Sequence, residues 1–77
     1  MRAIEAMQRR VPLLVNDAAG ESTELCRQSN AGLIYSNADE LAECLELLLT
    51  DEPLRRALGA KGSEFIRAQD VQPLRPL

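Results

Sequence analysis

The sequence of 77 residues contains no histidine and no tryptophan, with one phenylalanine and one tyrosine as its only aromatic residues. Two cysteines, Cys26 and Cys44, are too few for a disulfide framework and, without histidine, make no convincing zinc site. Both are expected to be reduced packing residues of a cytosolic protein. Because aromatic residues make up only 3% of the chain, the core is expected to be aliphatic and built mostly from leucine.

Long apolar runs and an excess of basic residues are also missing. No run approaches the roughly 20 apolar residues that span a bilayer, and the net charge of -3 argues against nucleic acid as a partner. Charged residues at positions 2, 5, 9 and 10 leave no apolar segment for a secretory signal. We therefore expect a cytoplasmic protein with no membrane span, no nucleic-acid partner, no cofactor and no metal site.

The first half of the chain alternates helical and strand patterns. Ile4, Met7 and Val11 have helical spacing, which predicts a helix over residues 2–10 that Pro12 ends. The apolar run 11–15 predicts a buried parallel strand, and residues 16–20 have turn composition. A short helix over 21–28 and a second short strand over 33–35 are predicted to follow, separated by the breaker sequence 29–32.

Two further helices are predicted in the second half. Asn37, with Glu40 three residues later, predicts a capped helix start, and Leu41, Leu45, Leu48 and Leu49 define an apolar face expected to belong to the core. Pro53 suits the first turn of a last helix whose apolar stripe extends to about residue 68. Gly62 lies on this stripe and predicts close packing, whereas Gly59 lies off it and costs up to ~1 kcal/mol relative to alanine. Residues 70–77 are expected to form a disordered tail.

This order of elements predicts an α/β fold of short parallel strands flanked by helices, formed by residues 1–69. Two such strands are too few to be stable alone, because roughly three strands with a covered face are needed, and each strand would have a bare edge. The sheet is therefore expected to be incomplete, and to be completed by missing sequence or by a partner chain.

Several short motifs follow one another along the chain: Glu5-Ala6-Met7, Pro12 with the apolar strand after it, Gly20 in a small-residue loop, Glu24-Leu25-Cys26, residues 29–35, residues 47–59 and Gly62. In this order and spacing they resemble the C-terminal domain of the group-one retaining glycosyltransferases, a family of the GT-B type with two Rossmann-like domains. The resemblance covers residues 3–68 and implies a partial Rossmann-like, nucleotide-sugar-binding unit.

In that family two glutamates seven residues apart hold the sugar nucleotide, and Glu5 matches the second. The resemblance implies that Glu5 accepts hydrogen bonds from the ribose hydroxyls, and that backbone amides near its helix start favour the diphosphate. The first glutamate, the basic residues of the diphosphate site and the acceptor domain would precede Met1, so no catalytic residue is assigned. Arg10 departs from the family pattern, which usually has a small residue, often glycine, at this position.

Simpler interpretations stand beside these assignments. Glu5 is equally consistent with a solvated carboxylate in the first turn of a helix. Gly20 is a candidate phosphate-loop residue, but a plain turn explains a single glycine as well. Arg9 and Arg10 fit either a phosphate contact or a solvated pair, and the leucine face fits either a core or a partner surface.

Three hypotheses follow for function. The chain is part of the donor-nucleotide site of a nucleotide-sugar-dependent glycosyltransferase and does not transfer sugar alone. Alternatively, it is a free-standing interaction module that forms homo-oligomers through its strands or leucine face and binds no nucleotide. The third hypothesis is that the chain is a regulatory subunit that completes the sheet of another protein.

Overall fold

Two parallel strands and four helices make up the part of the chain that the structure, a computed structural model, describes, which is residues 2–70. The order is helix, strand, helix, strand, helix, helix, so the predicted α/β class with a parallel sheet is confirmed. The elements are α1 Ala3–Gln8, β1 Leu13–Asn16, α2 Glu21–Ser29, β2 Gly32–Tyr35, α3 Ala38–Thr50 and α4 Glu52–Asp70.

β1 and β2 pair in parallel, with Leu13 opposite Gly32 and Asn16 opposite Tyr35. The backbone N–H groups of Leu13 and Asp17 donate to the carbonyls of Ala31 and Tyr35, both at 2.9 Å. β1 therefore begins two residues later and ends one residue later than the predicted strand 11–15. Its apolar run overlaps the turn that connects α1 to β1, which periodicity alone does not distinguish from strand.

α1 ends at Gln8, two residues before the predicted end at residue 10. The turn that follows it and leads to β1 contains one residue with a left-handed backbone conformation. The Val11 N–H donates to the Ala6 carbonyl at 2.8 Å and the Arg10 N–H donates to the Met7 carbonyl at 3.2 Å. This pair of bonds is the Schellman pattern, whose left-handed residue is usually glycine. Here that residue is Arg10, with φ of 62°.

The core is small and lies where α1, α2 and α4 meet the sheet. Five apolar residues are buried, and only one of them is a leucine: Ala6, Met7, Leu13, Cys26 and Ala31. Phe65 and Ile66 of α4 pack against them while remaining partly exposed. The expectation of a mostly leucine core is therefore wrong, since small residues and Met7 take the central positions.

Two glycines bring α4 close to the rest of the fold. A Cβ built on Gly62 would lie 3.2 Å from both the Met7 Cγ and the Ala31 Cβ, which confirms the predicted close packing. A Cβ on Gly59 would collide with the carbonyl oxygen of Arg10. Gly59 lies off the apolar stripe as predicted from its spacing, but it is buried against the turn between α1 and β1, so the expected gain from alanine at this position does not apply.

α3 begins at the predicted cap but is not part of the core. The Glu40 N–H donates to Asn37 Oδ1 at 2.9 Å, and the Ser36 N–H donates to Glu40 Oε1 at 2.7 Å. Within the described chain no residue of α3 is buried, and Leu49 is 78% exposed. The assignment of the leucine face to the core is therefore wrong.

The predicted disordered tail, 70–77, begins where α4 ends. Asp70, the first residue of the predicted tail, is the last residue of α4. Residues 71–77 lie outside the described residues.

Candidate functional site

Glu5, the residue assigned to ribose by resemblance, lies in the first turn of α1 and is exposed. α1 is held in place by Met7, which is fully buried and lies against Gly62 of α4. Between residues 2 and 70, no hydrogen bond or ion pair engages the Glu5 carboxylate. An ionised carboxylate in this setting can accept two hydroxyl hydrogen bonds, and it is equally able to remain solvated.

The loop from Asn16 to Gly20 follows β1 and is held by its own hydrogen bonds. Asn16 Oδ1 accepts from the Ala18 N–H at 2.8 Å, and the Asn16 carbonyl accepts from the Ala19 N–H at 3.0 Å and from Thr23 Oγ1 at 2.6 Å. With the Asp17 N–H, which donates to the Tyr35 carbonyl, three of the loop's amide donors are therefore already bonded. This leaves fewer donors for a phosphate than the sequence pattern suggests.

Gly20 is the N-cap of α2, with φ of 63° and ψ of -117°. A Cβ at Gly20 would meet no atom within 4 Å. The glycine is therefore required by its backbone conformation, which side chains disfavour, and not by a close neighbour. A ligand could approach from the open side, but the same geometry serves a plain turn.

Acidic side chains dominate the end of the sheet where both strands finish. Five exposed carboxylates lie in the loops and first helical turns that follow the strands: Asp17, Glu21, Glu24, Asp39 and Glu40. The basic pair Arg9 and Arg10 lies before β1, at the opposite end. Because like charges repel, this acidic end disfavours a diphosphate near Gly20.

The structure brings together two contacts at this end that the sequence analysis did not identify. Ser36 Oγ donates to Asp17 Oδ2 at 2.9 Å, which joins the loops after β1 and β2. Ile4, the neighbour of Glu5, lines a shallow groove of about 370 Å³ with Glu21 and Glu24 of α2. The general rule that parallel strands finish at one edge of the sheet could have predicted the first contact.

The two cysteines are free thiols in different environments. Cys26 is buried, and this burial raises the pKa of its thiol, while the neighbouring positive charge of Arg27 lowers it to a smaller extent. Cys26 is therefore held as a neutral thiol that packs in the core. Within residues 2–70, no three histidine, cysteine or acidic side chains are placed to hold a metal ion.

Comparison with protein-family models, with curated proteins and with solved structures finds no match to this chain. Among the described residues, none of the helices combines the length and the apolar character needed to cross a membrane.

Proposed function

We propose that this chain is a partial donor-nucleotide-binding unit of the group-one glycosyltransferase type, in which Glu5 accepts hydrogen bonds from the ribose hydroxyls. The proposal assigns binding and no catalytic step, because no residue of the chain is assigned to sugar transfer. It also places the chain in the cytoplasm, where Cys26 and Cys44 stay reduced.

The observation that supports the proposal best is the backbone of Arg10. The resemblance places a small residue, often glycine, at this position, and Arg10 adopts the left-handed conformation that favours glycine. Gly59 lies so close to the Arg10 carbonyl that a side chain at position 59 would have no room. The position where the family usually has glycine thus has a backbone conformation that favours glycine, which supports the resemblance.

The contribution of Gly20 to phosphate binding is the weaker part of the proposal. Glu21 and Glu24 lie in the first turn of the helix that Gly20 caps, and two amides of the preceding loop are bonded internally. Nucleoside recognition through Glu5 is therefore expected to contribute more of the affinity than the diphosphate does.

A titration monitored by backbone amide shifts tests this function on the full chain. Uridine, guanosine and adenosine diphosphates are added to about 1 mM, a concentration matched to weak binding. Shifts at residues 4–7 that disappear in Glu5→Gln are the expected result. Glu64→Gln is the control, because Glu64 is an exposed carboxylate on α4 and its removal makes the same change in charge.

Two outcomes contradict the proposal. One is the absence of shifts with all three nucleotides. The other is a response that is the same in Glu5→Gln as in the unmodified chain, which would mean that the nucleotide binds elsewhere.

The alternative function is an oligomerising interaction module that binds no nucleotide. The observation that favours it is the sheet itself, because β1 and β2 pair only with each other in the described chain and each has one outer edge. Open edges are templates for pairing with another chain. A second copy, or another protein whose sheet the chain completes, would supply the neighbouring strand. Sedimentation of the full chain distinguishes a mass of 8.5 kDa from a multiple of it.

A further inference from the structure

One flank of α3 exposes a row of apolar residues, which we call the outer strip: Ala38, Ala42, Leu45 and Leu49. All four residues are exposed, Leu45 by 44% and Leu49 by 78%. Their spacing of four, three and four residues places them along one side of the helix. The same spacing forms the seam between two packed helices in coiled coils.

The contacts of α3 within the fold use a different side of the helix. Leu41, Cys44 and Leu48 are the half-buried residues of α3, and the helix packs against β2 and α4. The outer strip lies beside this packed side and is not covered within residues 2–70. Its leucines therefore expose apolar surface that a second helix would remove from water.

All the charged side chains of α3 are acidic. Residues 38–50 contain four acidic and no basic side chains, namely Asp39, Glu40, Glu43 and Glu46. Asp39 and Glu46 border the outer strip on its solvent side, at helical spacing from Ala42 and Leu49. Glu43 and Glu46 also line a shallow groove of about 310 Å³ with Leu47 and Thr50. In the described chain, none of these carboxylates takes part in an ion pair.

This charge pattern decides which partner the outer strip fits. If two copies of α3 packed antiparallel through their outer strips, Asp39 and Glu46 of one copy would face the same carboxylates of the other, and like charges at such positions oppose pairing. In a parallel pair these carboxylates would face Leu41 and Leu48 of the other copy and would gain no basic partner. A helix with an apolar face bordered by lysine or arginine would complement both the strip and the acidic row. The groove between Glu43 and Glu46 has room for a long basic side chain.

We propose that the outer strip of α3 is the docking surface for a basic amphipathic helix of a partner protein. The apolar face of the partner covers Leu45 and Leu49, and its basic residues pair with Asp39 and Glu46. This surface lies on a different helix from Glu5, so the proposal does not depend on nucleotide binding.

The test uses the full chain and two fluorescent helical peptides that share one leucine face. The peptides differ only in their bordering residues, which are lysine in one and glutamate in the other, and binding is followed by fluorescence anisotropy. The lysine peptide is expected to bind at least about tenfold more tightly than the glutamate peptide, with an affinity that falls as salt is added. Amide shifts on the labelled chain are expected to map to α3.

Matched variants locate the site. Leu49→Gln is expected to weaken binding of the lysine peptide about tenfold, whereas Val11→Gln, at an exposed apolar residue outside α3, leaves binding unchanged. Glu46→Lys is expected to weaken binding by at least about tenfold. Glu64→Lys, which makes the same change in net charge on α4, serves as its control and is expected to have little effect.

Three results would overturn the proposal. The first is equal binding of the two peptides, and the second is no binding of the lysine peptide at about 1 mM. The third is self-association of the chain that Leu49→Gln abolishes, because the outer strip would then be an interface between copies.

Discussion

Arg10 carries a conformational cost that a single substitution relieves. Its left-handed backbone is disfavoured for residues with a Cβ, whereas glycine adopts it freely at some cost in unfolded-state entropy. We expect Arg10→Gly to increase the free energy of unfolding by about 0.5 to 1 kcal/mol. Urea unfolding of the two proteins measures this difference.

Arg9 provides the matched control for this substitution. Its φ of -94° suits any residue, so Arg9→Gly removes the same side-chain charge without relieving strain and is expected to lower stability. If Arg10→Gly is no more stable than the parent chain, the left-handed ending of α1 does not exist in solution as described.

The thiol of Cys26 links stability to alkaline pH. Because burial raises its pKa in the folded chain, the unfolded chain loses this proton at a lower pH than the folded chain does. This contribution to stability is constant below the ordinary thiol pKa of about 8.5 and decreases as the pH rises above it. We expect the free energy of unfolding to be constant from about pH 7 to pH 8 and to fall as the pH rises from about 8.5 to 10, as measured by denaturation in urea.

Two variants test whether Cys26 causes this dependence of the free energy of unfolding on pH. Cys26→Ala is expected to flatten it, whatever the variant's stability at neutral pH, and Cys44→Ala, which removes the thiol that is not buried, is the control. An unchanged slope in Cys26→Ala would show that other groups titrate in this range and that Cys26 does not.

At the scale of elements, the fit between α4 and the turn before β1 depends on Gly59. Alanine in place of glycine ordinarily stabilises a helix interior by up to ~1 kcal/mol, but here the new Cβ would collide with the Arg10 carbonyl. Overpacking of this kind typically costs 1–3 kcal/mol, so we expect Gly59→Ala to lower the free energy of unfolding by at least about 1 kcal/mol. Thermal unfolding measures the change.

Ser63→Ala, one turn later on the same helix, is the control and is expected to have little effect. A gain of stability in Gly59→Ala would mean that α4 does not approach the turn between α1 and β1 this closely.

The sequence was sufficient for the type and order of the elements, because their apolar periodicities and the Asn37 cap are local signals. It failed where backbone geometry or tertiary contact decides the outcome. Arg10 gives no local signal of a left-handed turn, since arginine rarely adopts one. Gly59 lies off the apolar stripe, and only the approach of another backbone explains its burial.

The leucine face of α3 also shows what sequence periodicity cannot predict. Helical spacing correctly grouped Leu41 with Leu48, which are half-buried, but it also assigned Leu49 to the core. Periodicity shows that residues share a side of a helix and does not show whether the fold covers that side. For the candidate site, the exposure of Glu5 follows from its place in a first turn, whereas the acidic surroundings of Gly20 require knowing that the loops after β1 and β2 meet.

At the scale of the whole molecule, the small number of buried apolar side chains limits the stability of the fold. Among residues 2–69 five apolar residues form the buried core, and the sheet has two strands of four residues each. A unit with so little core is expected to gain much of its stability from an added neighbour.

If a second copy is that neighbour, unfolding becomes dependent on protein concentration. Mass action then raises the midpoint of thermal unfolding by about 4 °C for each tenfold increase in concentration, because association and folding are coupled. Scanning calorimetry over a hundredfold range, together with sedimentation, measures this. A midpoint that stays constant while the mass remains 8.5 kDa would show that the two strands and four helices are stable alone, and the proposed incomplete sheet would then be wrong.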